Sequence, residues 1–207
     1  ANSSTSNVQQ VNITGTGGIT QLSTGTTTLT GAISSGTLGI PIGTVNVANG
    51  TLKLGDVSGP RQQPSDVVDM SNLTLATGAT LDIGNRDLII RNGNYNAITA
   101  LVAQGFDNPN QDFLGTGITS SDAAATGNNA IGVGVAGDLG YTSFDGVPVN
   151  PGDILVKYTF FGDADLNGQG NGDDFTLFQF GVGSSASDHL GWELGDFDYA
   201  NGINGDD

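Results

Sequence analysis

An acidic stretch at residues 162–174, GDADLNGQGNGDD, constrains this chain more than any other part of its sequence. Asp163, Asp165 and Asn167 alternate, so their side-chain oxygens can converge on one point, and Gly168 follows where such a loop turns sharply. This spacing provides the hard oxygen ligands that Ca²⁺ prefers, although Asp stands at the last position, where the usual pattern has Glu. The ligands that we predict for this first loop are Asp163, Asp165, Asn167, the backbone carbonyl of Gln169, Asn171 and Asp174.

A second acidic loop of the same kind, GDFDYANGINGDD, covers residues 195–207. Ala200 replaces one of the side-chain ligands, and Asn201 stands where the turning glycine belongs. Asn tolerates a positive φ better than most residues, so this turn is compatible with the sequence. We therefore predict a second and weaker Ca²⁺ site, with the ligands Asp196, Asp198, Gly202, Asn204 and Asp207.

The last fifth of the chain resembles a type I dockerin, the duplicated loop–helix calcium module of extracellular bacterial proteins. It is similar in particular to the C-terminal modules of secreted planctomycete proteins. The residues that carry this resemblance are Phe160, Gly162, Asp163, the run 171–175 (NGDDF) and the run 192–197. The resemblance implies a small Ca²⁺-binding module over residues 162–207 and, as the family's usual partner, a cohesin-like receptor. Since the sequence stops at Asp207, we expect the second helix of the module to be absent.

Charge and composition exclude several classes of function. The net charge is −16 with only five Lys and Arg, which argues against nucleic-acid binding, because phosphates need basic side chains. No apolar run approaches the length of a membrane span. The chain has no Cys, so it has neither disulfides nor thiolate metal sites. Calcium loops favour an exterior where Ca²⁺ is plentiful, and Ala1 is compatible with a processed N-terminus, so we expect a secreted or cell-surface bacterial protein.

Residues 1–161 are predicted to form a β-rich body, because Thr-rich runs alternate with Gly turns at short intervals. The segment 45–55 is echoed at 73–84, a repeat of about 28 residues. This echo is compatible with a short β-solenoid, and equally with two hairpins of a β-sandwich or jelly roll. Residues 45–56 are also similar to the short β repeats of autotransporter-type passenger domains. Residues 1–10 are polar and are predicted to be a tail or an exchanged strand.

The best predicted helix covers residues 94–106, with a stop at Gly105, and we expect it to cap an open end of the β stack. Its apolar residues at helical spacing are Ile98, Leu101, Val102 and Phe106. A shorter helix is predicted over residues 174–180, where Trp192 and Phe197 are expected to pack on Phe175 and Phe178. Strands are predicted over 87–91, 131–135 and 147–161.

Two further motifs do not support an enzyme. Residues 132–137 spell G-x-G-x-x-G, but no helix pattern follows them, as a dinucleotide-binding fingerprint requires. His189 is the single histidine, and its Ser and Asp neighbours in sequence do not make a triad, which is assembled through space. We therefore predict that the catalytic residues and organic cofactors of an enzyme are absent.

These observations predict a secreted, non-enzymatic structural protein that self-assembles into an extracellular fibre or surface layer and is stabilised by Ca²⁺. Its main partner is expected to be a second copy, with the N-terminal segment adding a strand to a neighbour's sheet. One alternative is an anchoring module that binds a cohesin-like receptor. The other is a polysaccharide-active or polysaccharide-binding passenger.

Overall fold

The structure is a computed structural model that describes residues 6–9, 12–107, 110–183, 191–200, 202–203 and 207. Its strands are β1 (Asn7–Gln9), β2 (Ile13–Thr14), β3 (Ile19–Gln21), β4 (Thr26–Leu29), β5 (Ile33–Ser34), β6 (Ile42–Val47), β7 (Thr51–Leu54), β8 (Val67–Leu75), β9 (Thr80–Asp82), β10 (Asp87–Ile90), β11 (Gly117–Thr119), β12 (Asn129–Val135), β13 (Ser143–Phe144), β14 (Val147–Pro148) and β15 (Ile154–Phe160). Its helices are α1 (Tyr95–Phe106), α2 (Ser121–Thr126) and α3 (Gly172–Gly183), and a 3₁₀ turn covers Trp192–Leu194. The protein is thus mainly β, as the sequence predicts.

The strands of the body stack as a β-solenoid. One sheet has the order β1-β4-β7-β9-β11, and every pair in it is parallel. A second sheet has the order β12-β15-β10-β8-β6-β3, and β3, β6, β8 and β10 are parallel to one another. In the first coils the chain passes through these two sheets and a third, two-stranded parallel sheet of β2 and β5, and from β7 to β11 it alternates between the two larger sheets, so each coil lies on the preceding one. This arrangement decides between the two predicted architectures, since a sandwich of hairpins pairs its strands antiparallel.

The internal echo of the sequence corresponds to two stacked coils. Val45 of β6 pairs with Leu73 of β8, and Leu52 of β7 pairs with Leu81 of β9. All four side chains are buried, as are the neighbouring apolar residues that alternate with polar ones along these strands. An apolar residue that lies above its counterpart in the previous coil gives the solenoid a continuous core. The largest fully buried side chains of that core are those of Ile42, Leu52, Leu54, Met70, Leu81, Ile83, Leu88, Ile89 and Ile90.

The N-terminal segment contributes to the first coil. Strand β1 pairs in parallel with β4 of the same chain, so residues 7–9 are part of the solenoid rather than a tail. Residues 1–5 and 10 of the predicted segment 1–10 lie outside the described residues. The short runs of these first coils form strands because Thr and Ile suit a pleated surface and the glycines between them allow tight turns.

Helix α1 forms where the sequence predicts a helix and packs against β11, the last strand of its sheet. Asn94 caps its N-terminus by accepting a hydrogen bond from the backbone N–H of Ala97 at 3.0 Å. The predicted stop at Gly105 is wrong, because the helix continues to Phe106 and ends at Asp107, whose φ is 53°. Gly105 is needed for a different reason: a Cβ at this position would overlap the backbone oxygen of Ile118 in β11.

The solenoid ends in antiparallel structure. Strand β15 pairs antiparallel with both β10 and β12. The predicted strand 147–161 is in fact two strands, because β13 and β14 form a hairpin and β15 begins only at Ile154. Helix α3 begins earlier and ends later than the predicted 174–180. Within the described ranges, none of the helices has the length and apolar character needed to span a membrane.

Candidate metal centre

The first acidic loop lies between β15 and α3 and brings its carboxylates together. One carboxylate oxygen from each of Asp163, Asp165 and Asp174 lies within 4.8 Å of the other two. Oxygens bound to a single Ca²⁺ lie about 2.3–2.6 Å from the ion and therefore at most about 5.2 Å from one another, so the spacing of these three carboxylates is compatible with one shared ion. The three acids that the spacing predicted therefore converge on one point.

Backbone N–H groups orient these carboxylates. Asp163 Oδ1 accepts a hydrogen bond from the N–H of Asn167 at 3.0 Å, and its Oδ2 accepts one from Gly168 at 2.9 Å and another from the hydroxyl of Thr159. Asp174 accepts hydrogen bonds from the N–H groups of Asp165 at 3.2 Å and Asn171 at 2.7 Å. The two carboxylates are thus held from both ends of the loop, while Asp163 Oδ1 and both oxygens of Asp174 each accept only one hydrogen bond and keep a lone pair for an ion.

The polar ligands predicted beside the acids have local roles in this loop. The side-chain oxygen of Asn167 accepts from the N–H of Gln169 at 2.8 Å, and that of Asn171 accepts from Asp173 at 2.8 Å. Gly168 has a φ of 84°, so it makes the sharp turn that the sequence predicts.

Three side chains from distant parts of the chain bind the outer backbone of the first loop. Trp192 Nε1 donates to the backbone oxygen of Asp163 at 2.7 Å, and the hydroxyl of Tyr141 donates to that of Asp165 at 3.0 Å. Gln62 Nε2 donates to the backbone oxygen of Asn167. Asp163, Asp165 and Asn167 are all predicted ligands, and these hydrogen bonds fix their backbone carbonyl groups. Sequence reasoning missed Tyr141 and Gln62, because no local signal connects them with the loop.

The second acidic loop also brings its acids together. Carboxylate oxygens of Asp196, Asp198 and Asp207 lie within 4.8 Å of one another. Asp207 Oδ1 accepts from the N–H groups of Phe197 at 3.0 Å and Asp198 at 3.3 Å, which closes the loop. Gly202 lies in the described part of the loop, outside this carboxylate cluster. The predicted ligand Asn204 and the turn residue Asn201 lie outside the described residues.

Both loops are anchored on β12. A Cβ at Gly132 of this strand would overlap Leu166 of the first loop and would lie 2.7 Å from Trp192 Nε1. The hydroxyl of Tyr199, in the second loop, donates to the backbone oxygen of Ile131. The G-x-G-x-x-G run that begins at Gly132 thus provides space for the acidic loops, and a hairpin rather than a helix follows it.

Aromatic rings fill the space between the two loops. Trp192 is 1% exposed, and its ring centroid lies 4.9 Å from that of Phe197 and 5.6 Å from that of Tyr199. Phe197 stacks on Phe178 with centroids 6.4 Å apart, as expected. The predicted packing on Phe175 is only indirect, because this side chain is 60% exposed and contacts Phe178.

The electrostatics of the first loop favour a cation. The pKa of Asp163 is raised to about 6, mainly by burial and also by the neighbouring charges of Asp165 and Asp174, while the hydrogen bonds from Thr159 and Gly168 lower it. The sequence from Asp163 to Asp207 contains no Lys or Arg. A bound divalent cation would remove this repulsion, and it would have to displace only weakly held protons at neutral pH.

The five basic residues form ion pairs and hydrogen bonds with residues of the solenoid body. Arg91 bridges Asp69 and Asp153 at 2.5 and 2.6 Å, and Lys157 contacts Asp145. Arg86 donates to the backbone oxygens of Gly31, Gly55 and Ser65, which lie in two successive coils. Lys53 and Arg61 also form ion pairs with body carboxylates. The basic side chains therefore stabilise the solenoid, and the acidic loops depend on other charges for neutralisation.

Comparisons with protein-family models, curated proteins and solved structures found no match to this chain. The dockerin resemblance stays a prediction from the motif, and the geometry of the two acidic clusters carries the functional argument. His189 lies outside the described residues.

Proposed function

We propose that this chain is a secreted, non-enzymatic structural protein that binds Ca²⁺ in its two acidic loops and self-assembles into a fibre or surface layer. The observation that supports this most is the convergence of Asp163, Asp165 and Asp174 in a segment without basic residues. Hard carboxylate oxygens in a loop of this spacing are the ligands that Ca²⁺ prefers. Calcium at this position would stabilise the loop and, through Gln62 and Tyr141, its attachment to the solenoid.

The charge distribution supports self-association through the first coils. Residues 1–52 contain no charged side chain, whereas the whole chain has a net charge of −16. Two copies repel each other through their acidic regions, so contact is least opposed at the uncharged coils. Strands β1 and β3 are the last strands of their sheets at this end, and Val8 is 62% exposed. Strand addition here would bury this apolar surface and pair free backbone groups.

Terbium luminescence tests the metal site, because Tb³⁺ replaces Ca²⁺ at oxygen sites and is sensitised by a nearby indole. Trp192 is the single tryptophan, and its Nε1 lies 2.7 Å from the backbone oxygen of Asp163. We expect luminescence that Ca²⁺ competes away. Asp165→Asn should weaken binding strongly, and Asp173→Asn should not, since it removes the same charge from an exposed residue outside the cluster. Equal effects of the two variants would contradict the proposed site.

Assembly is tested by sedimentation velocity and negative-stain electron microscopy with Ca²⁺ and with a chelator. We expect ordered assemblies with Ca²⁺ and smaller species without it. Val8→Lys puts a charge into the uncharged coils and should prevent assembly, whereas Leu114→Lys should not, although Leu114 is 70% exposed. A monomer at every Ca²⁺ concentration, or assemblies that ignore both the chelator and Val8→Lys, would refute the assembly proposal.

One observation favours an anchoring module as a second candidate. Helix α3 exposes Phe175, Phe180 and Val182, which are 60, 66 and 61% exposed. Exposed apolar side chains on one short helix are a feature of protein-binding surfaces. A pull-down with a panel of cohesin-like domains separates this function from self-assembly. A stable one-to-one complex that Phe180→Ser abolishes would favour anchoring.

A further inference from the structure

A buried lysine and two buried carboxyl groups meet at the β13–β14 hairpin, and none of the three belongs to the acidic carboxylate clusters. Lys157 Nζ lies 2.7 Å from Oδ2 and 3.0 Å from Oδ1 of Asp145. It also lies 3.6 Å from Oδ2 of Asp87. The side chains of Lys157, Asp145 and Asp87 are only 2, 8 and 0% exposed. Because Nζ faces both oxygens of Asp145, it also faces the carboxyl carbon between them.

The fold holds each of these groups on a different rigid element. Asp145 and Gly146 form a two-residue hairpin turn with φ values of 47° and 83°, the left-handed pair that tight hairpins require. Lys157 lies in β15, in the interior of its sheet, and Asp87 lies on the adjacent strand β10. The ring of Phe144 covers Nζ at 4.7 Å from its centroid, which shields the group from water.

Asp87 is placed to carry a proton between the other two groups. Burial raises the pKa of Asp87 above its usual range, while Lys157 and Arg61 act in the opposite direction. The negative charge of the neighbouring Asp145 also raises the pKa of Asp87. The backbone N–H of Tyr158 donates to Asp87 Oδ1 at 2.8 Å and fixes its orientation.

We propose that Lys157 and Asp145 form an intramolecular isopeptide bond with Asp87 as the proton carrier. The Lys157 ammonium first passes one proton to the Asp145 carboxylate, and the resulting free amine attacks Cγ of Asp145 and forms the new N–C bond. Asp87 takes a proton from the nitrogen and delivers one to the departing oxygen of Asp145. That C–O bond breaks and water leaves, so an ammonium and a carboxylate become one amide and one water. The step involves no oxidation and needs no co-reactant.

The bond would fasten the hairpin to the last strands of the solenoid in a chain that has no Cys. It pairs groups whose reacting atoms are already in contact and screened from water, which is the arrangement that accelerates intramolecular reactions. The inference depends on neither calcium binding nor assembly.

Peptide mapping of the purified wild-type protein tests this proposal. We expect the intact mass to be lower than the sequence mass by one water, about 18 Da. Trypsin needs the free amine, so we expect no cleavage after Lys157 and a single looped peptide of residues 92–207 that contains both linked residues. A second protease that cleaves before Asp153 should then yield a branched peptide that joins Lys157 to Asp145. A wild-type digest that contains the unbranched peptides, with cleavage after Lys157, would overturn the proposal without any variant.

Variants separate the isopeptide from a second route to the same mass. Asp145 precedes Gly146, and an Asp-Gly pair can lose water by closing a succinimide on its own backbone. Lys157→Arg and Asp87→Asn should restore the full sequence mass, whereas the control Lys53→Arg should keep the loss. Lys53 is a suitable control because it is 25% exposed and its ion-pair contacts are 3.8 and 3.9 Å. Loss of water that persists in Lys157→Arg would assign it to the succinimide and refute the isopeptide.

Discussion

Leu166 and Tyr199 occupy equivalent positions in the two acidic loops, three residues after Asp163 and Asp196, and both have left-handed backbone with φ of 59° and 57°. Such a φ is strained for bulky residues and persists where the surroundings hold it. Both side chains are buried, at 1 and 6% exposure, and both contact β12. The two loops are therefore related by local geometry as well as by sequence, and one strand of the body fixes both.

We predict that the absence of a side chain at Gly132 is required for the first acidic loop to pack against β12. Gly132→Ala would force Leu166 and Trp192 to move, so we expect the free energy of unfolding to fall by about 1–3 kcal/mol. Terbium affinity should fall as well. Gly152→Ala is the control, because a Cβ there meets no atom within 4 Å. Urea denaturation of both variants measures the difference, and equal stabilities would show that β12 does not constrain the first loop.

The hydrogen bond from Gln62 is predicted to increase the cation affinity of the first loop. Gln62→Ala removes the donor that binds the backbone oxygen of Asn167, a contribution of about 0.5–1.5 kcal/mol, or about two- to twelvefold in affinity. Gln63→Ala is a matched control, since this exposed neighbour makes no side-chain contact with the loop. Terbium titration gives both affinities. If the two variants bind equally well, the body does not position the loop.

Calcium is predicted to stabilise the protein mainly through the first loop. A ligand at about 100 times its dissociation constant adds about 2.7 kcal/mol to the free energy of unfolding, so the melting temperature should rise with Ca²⁺. Asp165→Asn should remove most of this increase. Asp198→Asn should remove less, because Ala200 cannot supply a side-chain ligand in the second loop. Differential scanning calorimetry checks this order, and a larger loss for Asp198→Asn would contradict it.

Because the coils stack on a continuous apolar core, we expect a Leu→Ala substitution in that core to lower the free energy of unfolding strongly. Leu81 is fully buried between coils, and Leu81→Ala should lower the free energy of unfolding by about 2–5 kcal/mol. Leu22→Ala removes the same atoms from a residue that is 68% exposed and should change stability by less than about 0.5 kcal/mol. Chemical denaturation compares them, and similar values would be inconsistent with the solenoid core.

Several features of the fold and the candidate site follow from local sequence. The acids of each loop are close in the chain, so their spacing alone brings them together. Helix α1 is likewise local, with Asn94 as its cap and an apolar face at helical spacing. The error at Gly105 has a tertiary cause, because this glycine is required by contact with Ile118 rather than by the end of the helix.

The sequence by itself determined the β-rich class, the two acidic clusters and the residues that form them, because these depend on periodicity and on neighbours along the chain. Only the tertiary structure decided between solenoid and sandwich, since strand pairing joins residues that no local rule connects. It alone joined Gln62 to Asn167, which are 105 residues apart, and Asp87 to Lys157. Contacts of this kind form only after the chain has folded, when burial brings distant polar groups within hydrogen-bonding distance.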